Sequence, residues 1–133
     1  MELAKEFIDP CNSFVINDNK DIRQLHTIHA KVFIVFIDFN ERNIILEGDM
    51  EPVKIRKETV EYIMKTGGTP VVIYCKHMGS RTLEDRCLYS RKLTSIQYHS
   101  TLKKLALQDC VLSIDQQFSE YQISHLKNIC NNP

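Results

Sequence analysis

The stretch that decides the reading is Gly67-Gly68-Thr69-Pro70-Val71-Val72-Ile73-Tyr74-Cys75-Lys76-His77-Met78-Gly79-Ser80-Arg81-Thr82. A glycine pair closes the preceding segment, and an apolar run without polar alternation follows. Such a run reads as a strand buried on both faces, the kind that parallel sheets use. Cys75 stands at its end, and Arg81 follows after five intervening residues, where helical character resumes. This spacing predicts an anion cradle. The loop amides of Lys76, His77, Met78, Gly79, Ser80 and Arg81 and a helix N-terminus would converge on an oxyanion, while the guanidinium grips two of its oxygens. The same positive field would favour the Cys75 thiolate and make it a nucleophile. Gly79 would supply a positive φ to a tight loop, and a hydroxyl from Ser80 or Thr82 would stabilise the leaving thiolate. The plain alternative is a buried structural cysteine and an unrelated surface arginine.

Outward from this stretch, Lys31 to Phe39 (KVFIVFIDF) is the strongest strand signal, β-branched, aromatic and almost continuously apolar, and it carries Asp38 near its end. Lys57 to Lys65 reads as a helix with Val60 and Ile63 or Met64 inward. Thr82 to Lys92 reads as a second helix with Leu83, Cys87 and Leu88 along one side, and Ile96 to Leu107 as a third. Cys110 to Leu112 is a short strand. Ser113 to Ile129 closes the chain, mostly as a helix with Phe118, Tyr121, Ile123, Leu126 and Ile129 as its apolar residues. Upstream, Ser13 to Ile16 suits an edge strand and Ile22, Leu25 and Ile28 a helix, while Asn43 to Ile55 reads as extended or irregular. Strands alternating with helices predict an α/β fold with a mostly parallel central sheet, one domain over residues 1–133. Ligands of such sheets bind beyond the carboxyl ends of the strands, where both Asp38 and Cys75 fall.

Composition narrows the function classes. The 133-residue chain has zero formal net charge, so nothing pulls it as a whole toward nucleic acid or an anionic membrane. No apolar run approaches the ~20 residues of a membrane helix, and Met1 to Glu6 lacks a signal-peptide core. The five cysteines are scattered, odd in number and free of any Cys-x-x-Cys pair. This points to a reducing, intracellular setting, cytoplasm or nucleus, and away from structural zinc. His26 and His29 lie a helical turn apart without a third ligand beside them and read as exposed helix residues, so no metal and no cofactor is expected. Cys87 and Cys110 read as packed core thiols. For a general acid, Asp38, Glu41, Asp49, Glu51, Glu84 and Asp85 qualify by type alone. Asp38 suits a structural carboxylate that accepts loop amides, and Glu84 and Asp85 suit the start of a helix.

The loop resembles the signature of cysteine-dependent phosphatases, a hydrophobic strand followed by Cys-x5-Arg-Ser/Thr. The element order is similar to the rhodanese fold, in the variant used by the M-phase inducer dual-specificity phosphatases. Val35-Phe36-Ile37-Asp38 resembles that family's strand ending in aspartate. Glu47 to Ile55 is loosely similar to its Gly-His-Ile-x-Gly-Ala-x-Asn-hydrophobic segment. The spacer from Arg81 to Val111-Leu112 is similar in length, and Val111-Leu112 with Phe118 and Tyr121 resembles the closing strand and helix. The resemblance runs over about residues 13–129 and is sharpest at the loop. It implies a rhodanese-like three-layer sandwich with Cys75 attacking phosphorus, Arg81 holding the transferring group, and a phosphoprotein carrying phosphotyrosine or phosphothreonine as substrate. The chain departs from the family at Tyr74, where a histidine is usual, and at Ser80, where the M-phase inducer loop has glutamate. It departs also at Asn40, where many rhodanese-like domains have arginine, and at Ile114-Asp115, where a glycine pair is usual. These departures keep two further expectations open: a catalytically inactive module that binds a protein partner, or a sulfurtransferase or arsenate reductase of the same fold.

Overall fold

The computed structural model describes residues 31–38, 53–83, 86–93, 96 and 100–131. In chain order these form β1 (Val32–Asp38), α1 (Val53–Lys65), β2 (Thr69–Cys75), a 3-10 turn (Met78–Ser80), α2 (Ser100–Leu107), β3 (Val111–Ser113) and α3 (Glu120–Asn131). The segments expected at Ser13 to Ile16 and Ile22 to His29, and the region 40–52, lie outside the described residues. Residues 53–55, expected to be irregular, form the first turn of α1 instead.

The chain is an α/β fold. Its described sheet has three strands in the order β1-β2-β3, all parallel. Strand β2 occupies the centre of the described sheet, and its apolar run suits that place: Pro70 to Cys75 are all buried. β1 was expected to be buried on both faces. It is half-buried from Val32 to Phe36, with Val32, Ile34, Val35 and Phe36 packed against the core and Ile37 fully within it. Among the described residues it pairs along one edge, to β2, with Val32 opposite Thr69 and Asp38 opposite Cys75. Val60, Ile73, Leu102, Leu105, Leu112 and Leu126 converge on the sheet to make the core.

Helix ends set where the strands begin. At the end of α1, Gly68 N–H donates to Ile63 O (3.0 Å) and Gly67 N–H to Met64 O (3.2 Å), the paired bonds of a Schellman motif. Gly67 takes φ +87°, which the motif requires and which a side chain resists. Gly68 is needed for closeness: a Cβ there would lie 2.9 Å from the Phe33 ring and 3.1 Å from Ile63 Cγ2. The same motif ends α2, where Cys110 N–H donates to Leu105 O and Asp109 N–H to Ala106 O. Here the left-handed residue is Asp109, φ +59°. Helix α3 opens with a capping box: Gln122 N–H donates to Ser119 Oγ, and Ser119 N–H donates to Gln122 Oε1. The cap turns Gln122 inward together with Leu126, and so leaves Tyr121, read from the sequence as one of the helix's apolar residues, 42 % exposed.

One expected helix does not appear among the described residues. No described residue between Thr82 and Lys92 is helical. Arg86 stands at φ +64°, which an L-residue does not hold inside a right-handed helix. The backbone groups of this segment face sideways instead: Leu88 O accepts Ser113 N–H, and Ser90 N–H donates to Ser113 Oγ.

Two substitutions at these turns should move stability in opposite directions. Gly68→Ala forces Phe33 and Ile63 apart and should destabilise by about 1–3 kcal/mol. Asp109→Gly should stabilise by roughly 0.5 kcal/mol, the left-handed penalty that glycine escapes less the extra chain entropy it loses. Urea midpoints at unchanged m-value measure both.

Candidate functional site

The carboxyl ends of the parallel strands meet at one rim. Asp38 and Cys75 are register partners on neighbouring strands, and Tyr74 is paired with Ser113 across the other edge of β2. Cys75 is buried, and its Sγ–H donates back along the strand to Ile73 O at 3.8 Å. The next residue, Lys76, turns the chain through φ +62°.

From that turn the loop runs as a continuation of the sheet rather than as a cradle. Lys76 N–H donates to Asp115 O (2.8 Å) and His77 N–H to Ile114 O (3.0 Å). Ser80 N–H closes onto His77 O and Arg81 N–H onto Met78 O, forming the 3-10 turn. The expected convergence of the loop amides on an oxyanion is therefore not what the structure holds, because four of them already bond to protein carbonyls. No helix starts at Arg81, so the helix dipole expected to favour the Cys75 thiolate is missing too. Gly79 was expected to supply the positive φ, but Lys76 supplies it. Gly79 is instead small so that the His77 ring can lie on it, a Cβ there meeting His77 Cε1 at 2.9 Å. Met78 is the exposed apex of the loop, and Thr82 lies exposed in a turn just beyond it.

The guanidinium is already occupied. Arg81 Nε donates to Asp115 Oδ2 at 2.8 Å, and Nη2 lies 2.7 Å from the same oxygen. The pair is uneven: the arginine side chain is 65 % exposed and the aspartate 12 %.

Ser80 faces inward. It gives its one hydroxyl hydrogen to Ser113 Oγ at 2.6 Å, so the 2.7 Å contact with His77 is filled by the ring's Nδ1–H. This assigns the tautomer from the network rather than from a located hydrogen. Ser113 Oγ also accepts Ser90 N–H at 2.8 Å, and Ser113 O accepts Gln122 Nε2–H at 2.9 Å. Gln122 Nε2 donates as well to Leu88 O (2.8 Å). His77, Ser80, Ser90, Ser113 and Gln122 are all buried. Together they hold the loop, the 88–90 segment, β3 and α3 in one polar hub. Burial, and then the positive charge of Lys92, hold the His77 imidazole below its ordinary value of 6.5, while Asp115 pulls it upward. Burial, with Asp109 beside it, pushes the Cys110 thiol up, which fits an inert core cysteine.

Sequence reasoning missed Ser90, Ser113 and Gln122 as a unit. The Ser119-x-x-Gln122 capping box was a readable signal, but nothing in the sequence shows that the same amide reaches Leu88 and Ser113. An open cleft of about 470 Å³ lies elsewhere among the described residues, lined by Glu61, Met64, Lys65, Ser100, Thr101 and Lys104. Among the described residues no three His, Cys, Asp or Glu side chains gather as a metal site, and no helix is long and apolar enough to cross a membrane. No family model, no curated protein and no solved structure matches the chain.

Ser113→Ala should destabilise by about 2–4 kcal/mol, since Ser80 O–H and the buried Ser90 N–H both lose their acceptor; chemical denaturation reads the loss. The hub also has a pH signature. Below 6.5 the unfolded chain takes up a proton that folded His77 resists, so its contribution is complete above 6.5 and declines as pH falls through the lowered folded value. The stability-versus-pH slope in that window should flatten in His77→Gln.

Proposed function

We propose that this chain is a rhodanese-like domain on the three-layer plan, similar to the M-phase inducer phosphatases, whose Cys-x5-Arg loop has closed into a structural turn. In this reading the domain binds a protein partner inside the cell, in cytoplasm or nucleus, and does not hydrolyse phosphate esters. The observation that carries it is the state of the loop donors: Lys76, His77, Ser80 and Arg81 amides bond to protein carbonyls, and the guanidinium bonds to Asp115. Phosphoryl transfer depends on such donors aimed at the place where charge develops. Redirecting the Lys76 and His77 amides to a substrate would break two hydrogen bonds, each contributing about 1 kcal/mol.

A second reading is a phosphatase working through a phosphocysteine on phosphotyrosine or phosphothreonine. The pairing of Asp38 with Cys75 at the carboxyl ends of adjacent parallel strands favours it, since ligands of such sheets collect there. It requires the loop to leave Ile114 and Asp115 when substrate arrives.

Hydrolysis of 4-nitrophenyl phosphate separates the two, because its leaving group needs little help from a general acid. Wild type and Cys75→Ser are expected to be indistinguishable and inactive, and equally inactive in sulfur transfer from thiosulfate to cyanide. Phosphate release that disappears in Cys75→Ser would establish the phosphatase. Cys75-dependent activity in the thiosulfate assay alone would make the chain a sulfurtransferase.

A further inference from the structure

We infer that Asp115 acts as an internal anion, filling on the Nε edge of Arg81 the place of a tetrahedral oxyanion, and that its carboxylate competes with external oxyanions for that edge. The inference rests on the closed-loop reading above and names what occupies its arginine.

Asp115 touches both ends of the loop. Its carbonyl accepts the N–H of Lys76, the first residue after Cys75, and its carboxylate takes Nε and Nη2 of Arg81, the last. The two contacts use different parts of the residue. Removing the carboxylate leaves the backbone clamp intact, so charge and architecture are separable here.

The carboxylate pairs with a cation on the loop. Arg81 is bonded to it, and Asp115 and Lys92 both act on the His77 ring, in opposite senses. The Lys92 stem also reaches the loop, 3.4 Å from the position of a Gly79 Cβ. Neutralising Asp115 raises the local charge by one and leaves a guanidinium with no carboxylate on its Nε edge. Arginine presents that edge bidentately to phosphate as readily as to carboxylate. Its 65 % exposure means an external anion reaches it without opening the core. A partly exposed ion pair is a weak competitor, so a doubly charged oxyanion displaces a single carboxylate at modest concentration.

The experiment titrates the full chain with tungstate, inorganic phosphate and phenylphosphonate by calorimetry. Asp115→Asn, which keeps shape and backbone, is expected to bind tungstate at least ten-fold tighter than wild type, and adding Arg81→Ala should remove the gain. Preference for phenylphosphonate over phosphate assigns the site to an oxyanion carried on an aryl group, and equal binding to a free one. Unchanged affinity in Asp115→Asn, or a gain that survives loss of Arg81, overturns the inference. Asp115→Ser repeats the test should the asparagine variant misfold. In wild type the Arg81 Nε–H resonance reports the exchange directly: saturating tungstate should shift it, and a resonance that stays in place overturns the inference whatever the variants do. These readouts measure affinity, so they are separate from turnover. Ester hydrolysis by wild type would sink the binding-module reading and leave this result standing, and unchanged anion affinity would do the reverse.

Discussion

A strand buried from end to end must find partners for its backbone groups along both edges, with no water to replace them. That requirement organises this molecule. β2 meets it with β1 on one side and β3 on the other, and the pairing with the β3 side does not stop where regular strand geometry stops. Ile114 N–H donates to Tyr74 O, and Lys76 and His77 then donate to Asp115 and Ile114. The ladder therefore runs past Cys75 into the loop. The turn at Lys76, left-handed in a residue with a full side chain, follows from keeping that ladder intact while the chain reverses.

The loop's chemistry is decided by this extension. An amide cannot serve a sheet neighbour and an oxyanion at once, and here the sheet neighbour has it. The polar hub beneath follows the same rule. Ser113 is fully buried and forms bonds through N, O and Oγ, to Leu88, to Gln122 and to Ser80 and Ser90. Buried networks are favourable only when every member is satisfied, and these bonds together fix three segments, the loop, residues 88–90 and α3, against the end of β3. The helix expected over Thr82 to Lys92 is excluded by this geometry, because Leu88 and Ser90 direct their backbone groups outward to Ser113 rather than along a helix axis.

What the sequence made legible is the part governed by local pattern. Thr69 to Cys75 is a strand over the expected residues, since continuous apolarity bounded by Gly67-Gly68 leaves few alternatives. The helix ending at Lys65 was readable from the same glycine pair, and the shared rim of Asp38 and Cys75 follows from parallel pairing. What stayed hidden depends on partners distant in sequence. Leu83, Cys87 and Leu88 fall at helical spacing, yet Ser113 and Gln122 take the backbone nearby. Tyr121 looks like a core aromatic until the capping box fixes the phase of α3 and turns Gln122 inward. The loop motif predicts donors by type and spacing, but whether those donors are available is decided by Ile114 and Asp115, more than thirty residues further along the chain.

Ser80 and Asp115, two positions at which the chain differs from the phosphatase signature that the loop resembles, are physically coupled. A glutamate at position 80 would carry its charge into the space where Ser80 bonds His77 and Ser113, and a buried carboxylate there would need compensation that a neutral imidazole does not give. The small hydroxyl allows the inward turn. With a neutral residue beside Arg81, the guanidinium takes its partner from the bend just beyond β3, where Asp115 provides the negative charge. Ser80 and Asp115 thus act on the same loop. The first draws the loop down onto the hub, and the second neutralises the arginine that the loop carries with it.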